Sequence, residues 1–353
     1  MNILVSGGAG YLGSVLLPKL LVRGHRVRVV DIGYFGVSHL KLLRPSVEIV
    51  REDIRRILAH PRFGRKLLDG CDCVLHLAAI SNDPSADLNP KTTSEVNFRA
   101  TCALAELCRE KRARFIFSST CSVYGHSEGE IDEAGTLHPL TTYAASKLKA
   151  EKALCELSHP RWKPIILRNG TLFGYSPRMR FDLVVNTFAL YSTLYNRVQL
   201  FGDGKQWRPF LHVRDCAEAF VHFCENREIH GGTYNVAHEN LRVTDVAKIF
   251  QRLNPRLRII RSQTTAQDKR DYRIRTERMR EAGFRTRIAV ETGSQEMAEA
   301  IASGLIPDPE SIFYQNSKWI KELTQVSPKN NRDLLELLET LRRIQPTGSL
   351  PKT

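Results

Sequence analysis

Short β-branched runs alternate with longer stretches of helical spacing through the first half of the chain. Ile3–Ser6, Val27–Asp31, Val47–Arg51, Val74–Leu77, Phe115–Ser118 and Ile165–Arg168 read as strands, and Thr92–Lys111 and Tyr143–Ser158 as helices. Strands that alternate with helices build a parallel sheet covered on both faces. The expected fold is α/β: a Rossmann-type doubly wound parallel sheet, with its ligand outside the carboxyl ends of the strands. Pro18 interrupts the first helical pattern, and its missing N–H predicts a distortion there.

After Gly174 the alternation weakens, and polar, Arg-rich and Gly-rich segments are interleaved with helices such as Arg214–Glu225 and Thr244–Leu253. This divides the chain into a dinucleotide-binding domain over 1–174, a smaller C-terminal substrate-binding lobe over 175–310 and a helical extension over 311–353. Some later segments are expected to return to the first domain. Leu334, Leu337, Leu338, Leu341 and Ile344 form one helical stripe in the extension, which is expected to pack within the chain rather than form a second interface.

Composition narrows the class. Of 353 residues, 42% are hydrophobic and 25% charged, as in an ordinary globular protein. No apolar run approaches the ~18 residues a membrane span needs, so no membrane insertion is expected. The eight cysteines form no Cys-x-x-Cys pair, which argues against a zinc ribbon or a disulfide framework. No metal site is expected, because no histidines show ligand spacing. With no leader-like segment before Asn2, a cytoplasmic location is expected. The net charge of +14 calls for an anionic partner. Nucleic acid is disfavoured, since few aromatics lie among the arginines between Arg252 and Arg287.

Ser6-Gly7-Gly8-Ala9-Gly10-Tyr11-Leu12-Gly13 follows the first strand and opens the first helix. Gly7 permits a tight turn, Gly10 lets backbone approach a pyrophosphate, and Gly13 allows close helix–strand packing. Asp31 ends the second strand, eighteen residues after Gly13, where an acid accepts hydrogen bonds from the adenosine ribose. No arginine follows it directly, which favours NAD over NADP. Asp53 and Ile54 are placed to flank the adenine.

Tyr143-Ala144-Ala145-Ser146-Lys147 puts a phenol and an ammonium on one helix face. An adjacent cation favours the phenolate and brings tyrosine toward use as an acid/base. Ser118-Ser119-Thr120 ends a strand aimed at the same crevice, and supplies a hydroxyl to hold the reacting oxygen. Tyr-x-x-x-Lys alone also occurs on surface helices; in this order, after a glycine loop, it signals chemistry.

These motifs resemble those of the extended short-chain dehydrogenase/reductases, in particular the NAD-dependent nucleotide-sugar epimerase/dehydratase group. The likeness runs from Met1 to about Pro307 through Gly7–Gly13, Asp31, Asp53-Ile54, His76-Leu77-Ala78-Ala79, Asn97, Ser118–Gly125, Tyr143–Lys147, Arg168–Gly174 and Arg208–Asp215. The resemblance implies Tyr143 as acid/base, Lys147 as the residue that binds ribose and lowers its pKa, and Thr120 as hydroxyl partner. Gly7, Gly10, Tyr11, Leu12, Gly13, Leu77, Ala78, Ala79 and Ser118 would line the NAD, with Asn97 supporting the site. It also implies that Arg208 and Asn169 contact the diphosphate of a nucleotide sugar, with Ser81, Arg270 and Arg273 as further substrate residues. A guanidinium suits that partner because it pairs with phosphate in bidentate fashion.

Dehydratases of the group carry Thr-Asp-Glu where this chain has Thr120-Cys121-Ser122, so water elimination lacks its acid, and the same absence weakens decarboxylation. The expected reaction is epimerisation of a nucleotide sugar at C4 through a 4-keto intermediate. A nucleotide-ketosugar reductase is the runner-up, and a non-catalytic dinucleotide- or RNA-binding relative comes behind both. By the same resemblance the chain is expected to be a homodimer, paired through helices near Thr92–Arg112 and Thr141–Ser158.

Overall fold

Seven strands form the central sheet: β1 (Asn2–Ser6), β2 (Arg26–Asp31), β3 (Val47–Arg51), β4 (Cys73–His76), β5 (Arg114–Thr120), β6 (Ile165–Asn169) and β7 (Gly232–Val236). Their order is β7-β6-β5-β4-β1-β2-β3, and every neighbouring pair is parallel. The structure is a computed structural model that describes residues 1–43, 46–262, 268 and 270–326. The order reverses direction between β1 and β4, and this is where a doubly wound sheet opens its ligand crevice.

Both faces of the sheet are buried because each strand sends successive side chains to opposite sides. In β1, Ile3 and Val5 join one core with Leu16, Leu17 and Phe220, while Leu4 joins the other with Phe115, Leu104 and Leu154. The helix Gly13–Val22 runs through Pro18 unbroken, so the expected distortion does not amount to a break. Pro18 withholds only the donor that would meet the Ser14 carbonyl.

The helical region expected at Thr92–Lys111 begins earlier and is not uniform. Asn89 caps it by accepting from Thr92 N at 2.9 Å, Pro90 fills the first position, and Glu95–Arg99 is a π-helical turn before Ala100–Lys111 resumes the α form. Such turns often mark functional positions, and this one carries Asn97.

Beyond β6 the chain weaves between lobes. Trp207–His212 pairs with Thr171–Phe173 and Glu239–Arg242, and Arg197–Phe201 with Arg258–Ser262. Asp271–Ile274, by contrast, pairs with His126–Ile131, and β7 completes the large sheet. The helix Val213–Glu225 packs on the first helix, fastened by Lys19 and Arg23 to Glu218 at 2.6 and 2.8 Å. The helix Asn316–Val326 packs back onto the body of the protein. The leucine stripe from Leu334 lies outside the described residues. Among the described residues no helix is long and apolar enough to cross a membrane.

Candidate active site

A cavity of about 1160 Å³ opens at the carboxyl ends of the strands, between the sheet and the small lobe. At its floor, Gly7 has φ +76°, and a Cβ there would lie 2.6 Å from the Ala78 nitrogen. A Cβ on Gly13 would fall 2.5 Å from the Gly8 carbonyl oxygen. The loop is thus drawn tight between β1 and the segment after β4, and it presents backbone to the cavity at a helix N-terminus. That donor set fits a pyrophosphate.

Asp31 accepts from Ala9 N at 2.9 Å and Gly33 N at 2.8 Å, which presets it against the same loop. Burial raises its carboxyl pKa, partly offset by these N–H groups and by Arg178 and Arg51. The absence of an arginine after Asp31 therefore holds along the chain but not in space. Arg51 stands opposite Asp31 in the β2–β3 register, and Arg178 arrives from the loop after Gly174. Arg178 is 2% exposed, with its guanidinium 3.6 Å from the Phe35 ring centroid. Asp53 and Ile54 line the cavity, Asp53 being held by Arg55 at 2.6 Å.

At the other end, Tyr143 and Lys147 project from the helix Thr142–Glu156, which Thr141 caps by accepting from Ala144 N. Burial pushes the Tyr143 phenol above its ordinary pKa and the Asp83 charge adds to the rise, while Arg180 and the Thr120 hydroxyl act against it. Lys147 donates to the Ser118 carbonyl at 2.8 Å and sits 4.6 Å from the Phe117 ring centroid. Burial lowers its pKa to about 7, while the Glu151 charge acts in the opposite direction. Glu151 in turn pairs with Arg168 of β6 at 2.8 Å, with both side chains nearly sealed from solvent.

Asn97, Leu77, Ala78 and Ala79 build the wall between the two ends, though Asn97 does so indirectly. It is fully buried and does not line the cavity: it accepts from Ile80 N at 2.8 Å and donates to Ile80 O and Ser146 Oγ. It therefore clamps the loop after β4 to the Tyr143 helix and acts on the cavity only through them. His76, just before that loop, is neutral; burial lowers its pKa to about 3, and it bridges Ser6 and Thr101 at 2.5 and 2.8 Å.

Ser81, Asn169, Arg208 and Arg270 all line the cavity. Arg273 does not; its guanidinium lies 5.1 Å from the Trp207 ring centroid, drawn there by cation–π attraction. Arg208 and Arg270 converge on Asp268, each at 2.7 Å. Burial acts to raise that carboxyl, but the two guanidinia outweigh it and hold it below the usual range. Arg270 also pairs with Asp83 at 2.6 Å. Asp83 is a cavity carboxylate, near enough to influence Tyr143, that the strand-end motif did not disclose. Arg180, bound to Asp182 at 2.9 Å, and Asn82, whose φ of +85° is unusual for a non-glycine residue, line the same cavity. Cys121 is buried and donates to the Arg168 carbonyl, a packing role.

Comparison with known proteins fits this geometry. The description "NAD dependent epimerase/dehydratase family" matches residues 3–237. The chain belongs to that family. A Bacillus subtilis (strain 168) protein named as an uncharacterized UDP-glucose epimerase is 30% identical over 275 residues, covering 72% of this chain and 83% of the relative. UDP-glucuronic acid decarboxylase 1 of Arabidopsis thaliana is 31% identical over 250 residues, 67% of this chain and 54% of the relative, so the chain spans about half of that protein. Among solved structures, a UDP-glucuronic acid 4-epimerase from Bacillus cereus, in complex with UDP-glucuronic acid and NAD, superposes with a TM-score of 0.72. It shares 25% identity over 86% of this chain and 99% of its own. The UDP-glucose 4-epimerase of Thermotoga maritima, at 22% identity, shares the fold with a TM-score of 0.75 over 86% of this chain and 100% of its own. The family is NAD-dependent, and the names of the two relatives include an epimerase and a decarboxylase.

Proposed function

We propose that the chain is a nucleotide-sugar epimerase acting at C4, by oxidation to a 4-keto sugar and reduction on the opposite face. The observation that carries this is the constellation of Tyr143, Thr120 and Lys147 in the cavity, with no free acid beside it among the described residues. Cys121 and Ser122 stand where a dehydratase acid belongs, and Asp83 is engaged by Arg270.

The glycine loop, Asp31, Asp53 and Ile54 would hold NAD, which supplies the hydride acceptor and, later in the cycle, the donor. Thr120 fixes the substrate hydroxyl by hydrogen bond while Tyr143 Oη takes its proton. Burial holds the phenol above its ordinary pKa, so its use as a base would rest on the positive charges of Lys147, on the next turn of the helix, and of bound NAD, both of which favour the phenolate. Tyr143 returns the proton once the sugar has turned. Arg208 and Arg270 are placed for the diphosphate, which would take over the two guanidinia that Asp268 now occupies. Relatives named for UDP sugars make UDP-hexoses the first substrates to try. The homodimer expected from the resemblance is part of the same proposal, through the helices ending at Lys111 and Glu156.

The test is mass spectrometry of small molecules released from the purified protein, then incubation with nucleotide sugars in heavy water. Bound NAD, an inverted product and no deuterium on carbon are expected. Tyr143→Phe should lower turnover by about 10²–10⁴-fold. Turnover only of keto sugars with added reduced cofactor would replace the epimerase by a reductase. Loss of water or carbon dioxide would replace it by a dehydratase or a decarboxylase.

A further inference from the structure

The segment from Ser311 through the helix Asn316–Val326 lies beyond the family match and has no role in the proposed chemistry. It nevertheless contributes Gln315, Asn316 and Ser317 to the cavity wall. Its contacts fall on the loops that rim the adenosine end. Trp319 Nε1 donates to the Tyr34 carbonyl at 2.6 Å. Phe313 meets Phe35 edge-on at 6.4 Å and Trp319 at 5.2 Å. Tyr34 and Phe35 lie three and four residues after Asp31, the residue set against the glycine loop.

Asn316 is the node of this strap and is 3% exposed. Its Oδ1 accepts from Arg178 Nη2 at 2.6 Å, and its Nδ2 donates to Ser81 Oγ at 3.3 Å. Its backbone N–H donates to Asp182 at 3.3 Å. Asp182 also accepts from Asn82 at 2.5 Å and holds Arg180. One residue therefore joins three loops: the Phe35 loop through the Arg178 stack, the loop after β4 through Ser81, and the Arg178–Asp182 loop itself. The hold is stringent because Arg178 is buried and, among the described residues, its Nε has no hydrogen-bond partner. Loss of the Asn316 acceptor would leave a sealed guanidinium with little to satisfy it.

We propose that this strap is a cofactor clasp and Asn316 its positioning residue: a dinucleotide lying along Asp31 and Asp53 leaves only when the Asn316 and Trp319 contacts open. Its purpose rests on the epimerase reading, since an enzyme that returns hydride to the same cofactor loses the cycle if the reduced form escapes. Retention itself is a binding property and is measured without substrate.

The experiment loads the full chain with radiolabelled NAD and follows release after dilution into excess unlabelled NAD. Native protein is expected to hold NAD for minutes or longer. Asn316→Ala should release it at least tenfold faster. Trp319→Phe, which keeps a ring against Phe313 but removes the donor to Tyr34, should fall between. Melting temperatures measured in parallel separate release from unfolding, and if Asn316→Ala does not fold, Trp319→Phe carries the test. Native-rate release from Trp319→Phe and from any folded Asn316→Ala overturns the clasp, as does native protein that exchanges NAD within seconds. Neither result touches the epimerase reading, which falls instead if the sugar panel shows no inversion.

Discussion

Replacing Glu151 by glutamine removes one charge from a pair that solvent scarcely reaches: Glu151 is 3% exposed and Arg168 4%. Glu151 accepts from Arg168 Nη2 at 2.8 Å, from Arg168 Nε at 3.1 Å and from the Ser119 hydroxyl. All these partners are donors, so the amide turns one of its own donors toward them and leaves the guanidinium uncompensated. Breaking a buried pair from one side costs about 3–5 kcal/mol. With an unfolding entropy of ~2.1 cal/mol/K per residue, the lower figure lowers the melting temperature of this 353-residue chain by about 4 °C. Calorimetry of native protein, Glu151→Gln, Arg168→Met and the double variant Glu151→Gln/Arg168→Met measures it. The double variant should recover at least half of the loss, because no buried cation is left without its partner. A single variant within ~1 °C of native, or a double variant that loses the sum of both singles, refutes the reasoning. The activity profile gives a second readout. The Glu151 charge supports protonation of Lys147, so the alkaline limb of that profile should move to lower pH in Glu151→Gln.

Gly7→Ala should abolish NAD retention, because its Cβ would need to move Ala78 backbone from 2.6 Å and hold φ +76° as well; unchanged NAD content after gel filtration would show that the loop can yield. His76 brings a pH dependence. Its folded pKa is about 3 against ~6.5 when unfolded, so below about pH 6.5 the unfolded chain takes up a proton that the folded chain refuses, and stability falls as the pH drops toward 3. At pH 5 this amounts to about 2 kcal/mol, read as the extra loss in urea midpoint of native protein relative to His76→Asn between pH 7 and pH 5. Equal losses in the two proteins would remove His76 as the cause.

The features legible in the sequence were those that chemistry writes locally. The turn from β1 into its helix needs glycines at fixed offsets, and a phenol and ammonium on one helix face must be four residues apart. The rest is carried by contacts distant in sequence. Arg51 reaches Asp31 only through the β2–β3 register, and Arg178 only because a loop folds back across the cavity. Asp83 supplies a carboxylate from a loop that the strand-end motif does not mention. Asn97 supports the site through partners that spacing does not name: its amide is engaged by Ile80 and Ser146. One signal was available: Arg168 follows the apolar run Ile165-Ile166-Leu167 in a buried strand, so it requires a buried anion, and Glu151 follows Lys147 by one helical turn.

The placement of β7 also bears on how the chain is made. Strands β1 to β6 are complete at Asn169, but the partner that covers the outer edge of β6 emerges only with Gly232–Val236. During synthesis Ile165-Ile166-Leu167 therefore waits as an apolar strand with an open hydrogen-bonding edge, the kind of surface that recruits other chains. A nascent chain stalled between 170 and 231 is a template for aggregation, and the window closes when the small lobe hands β7 back to the sheet.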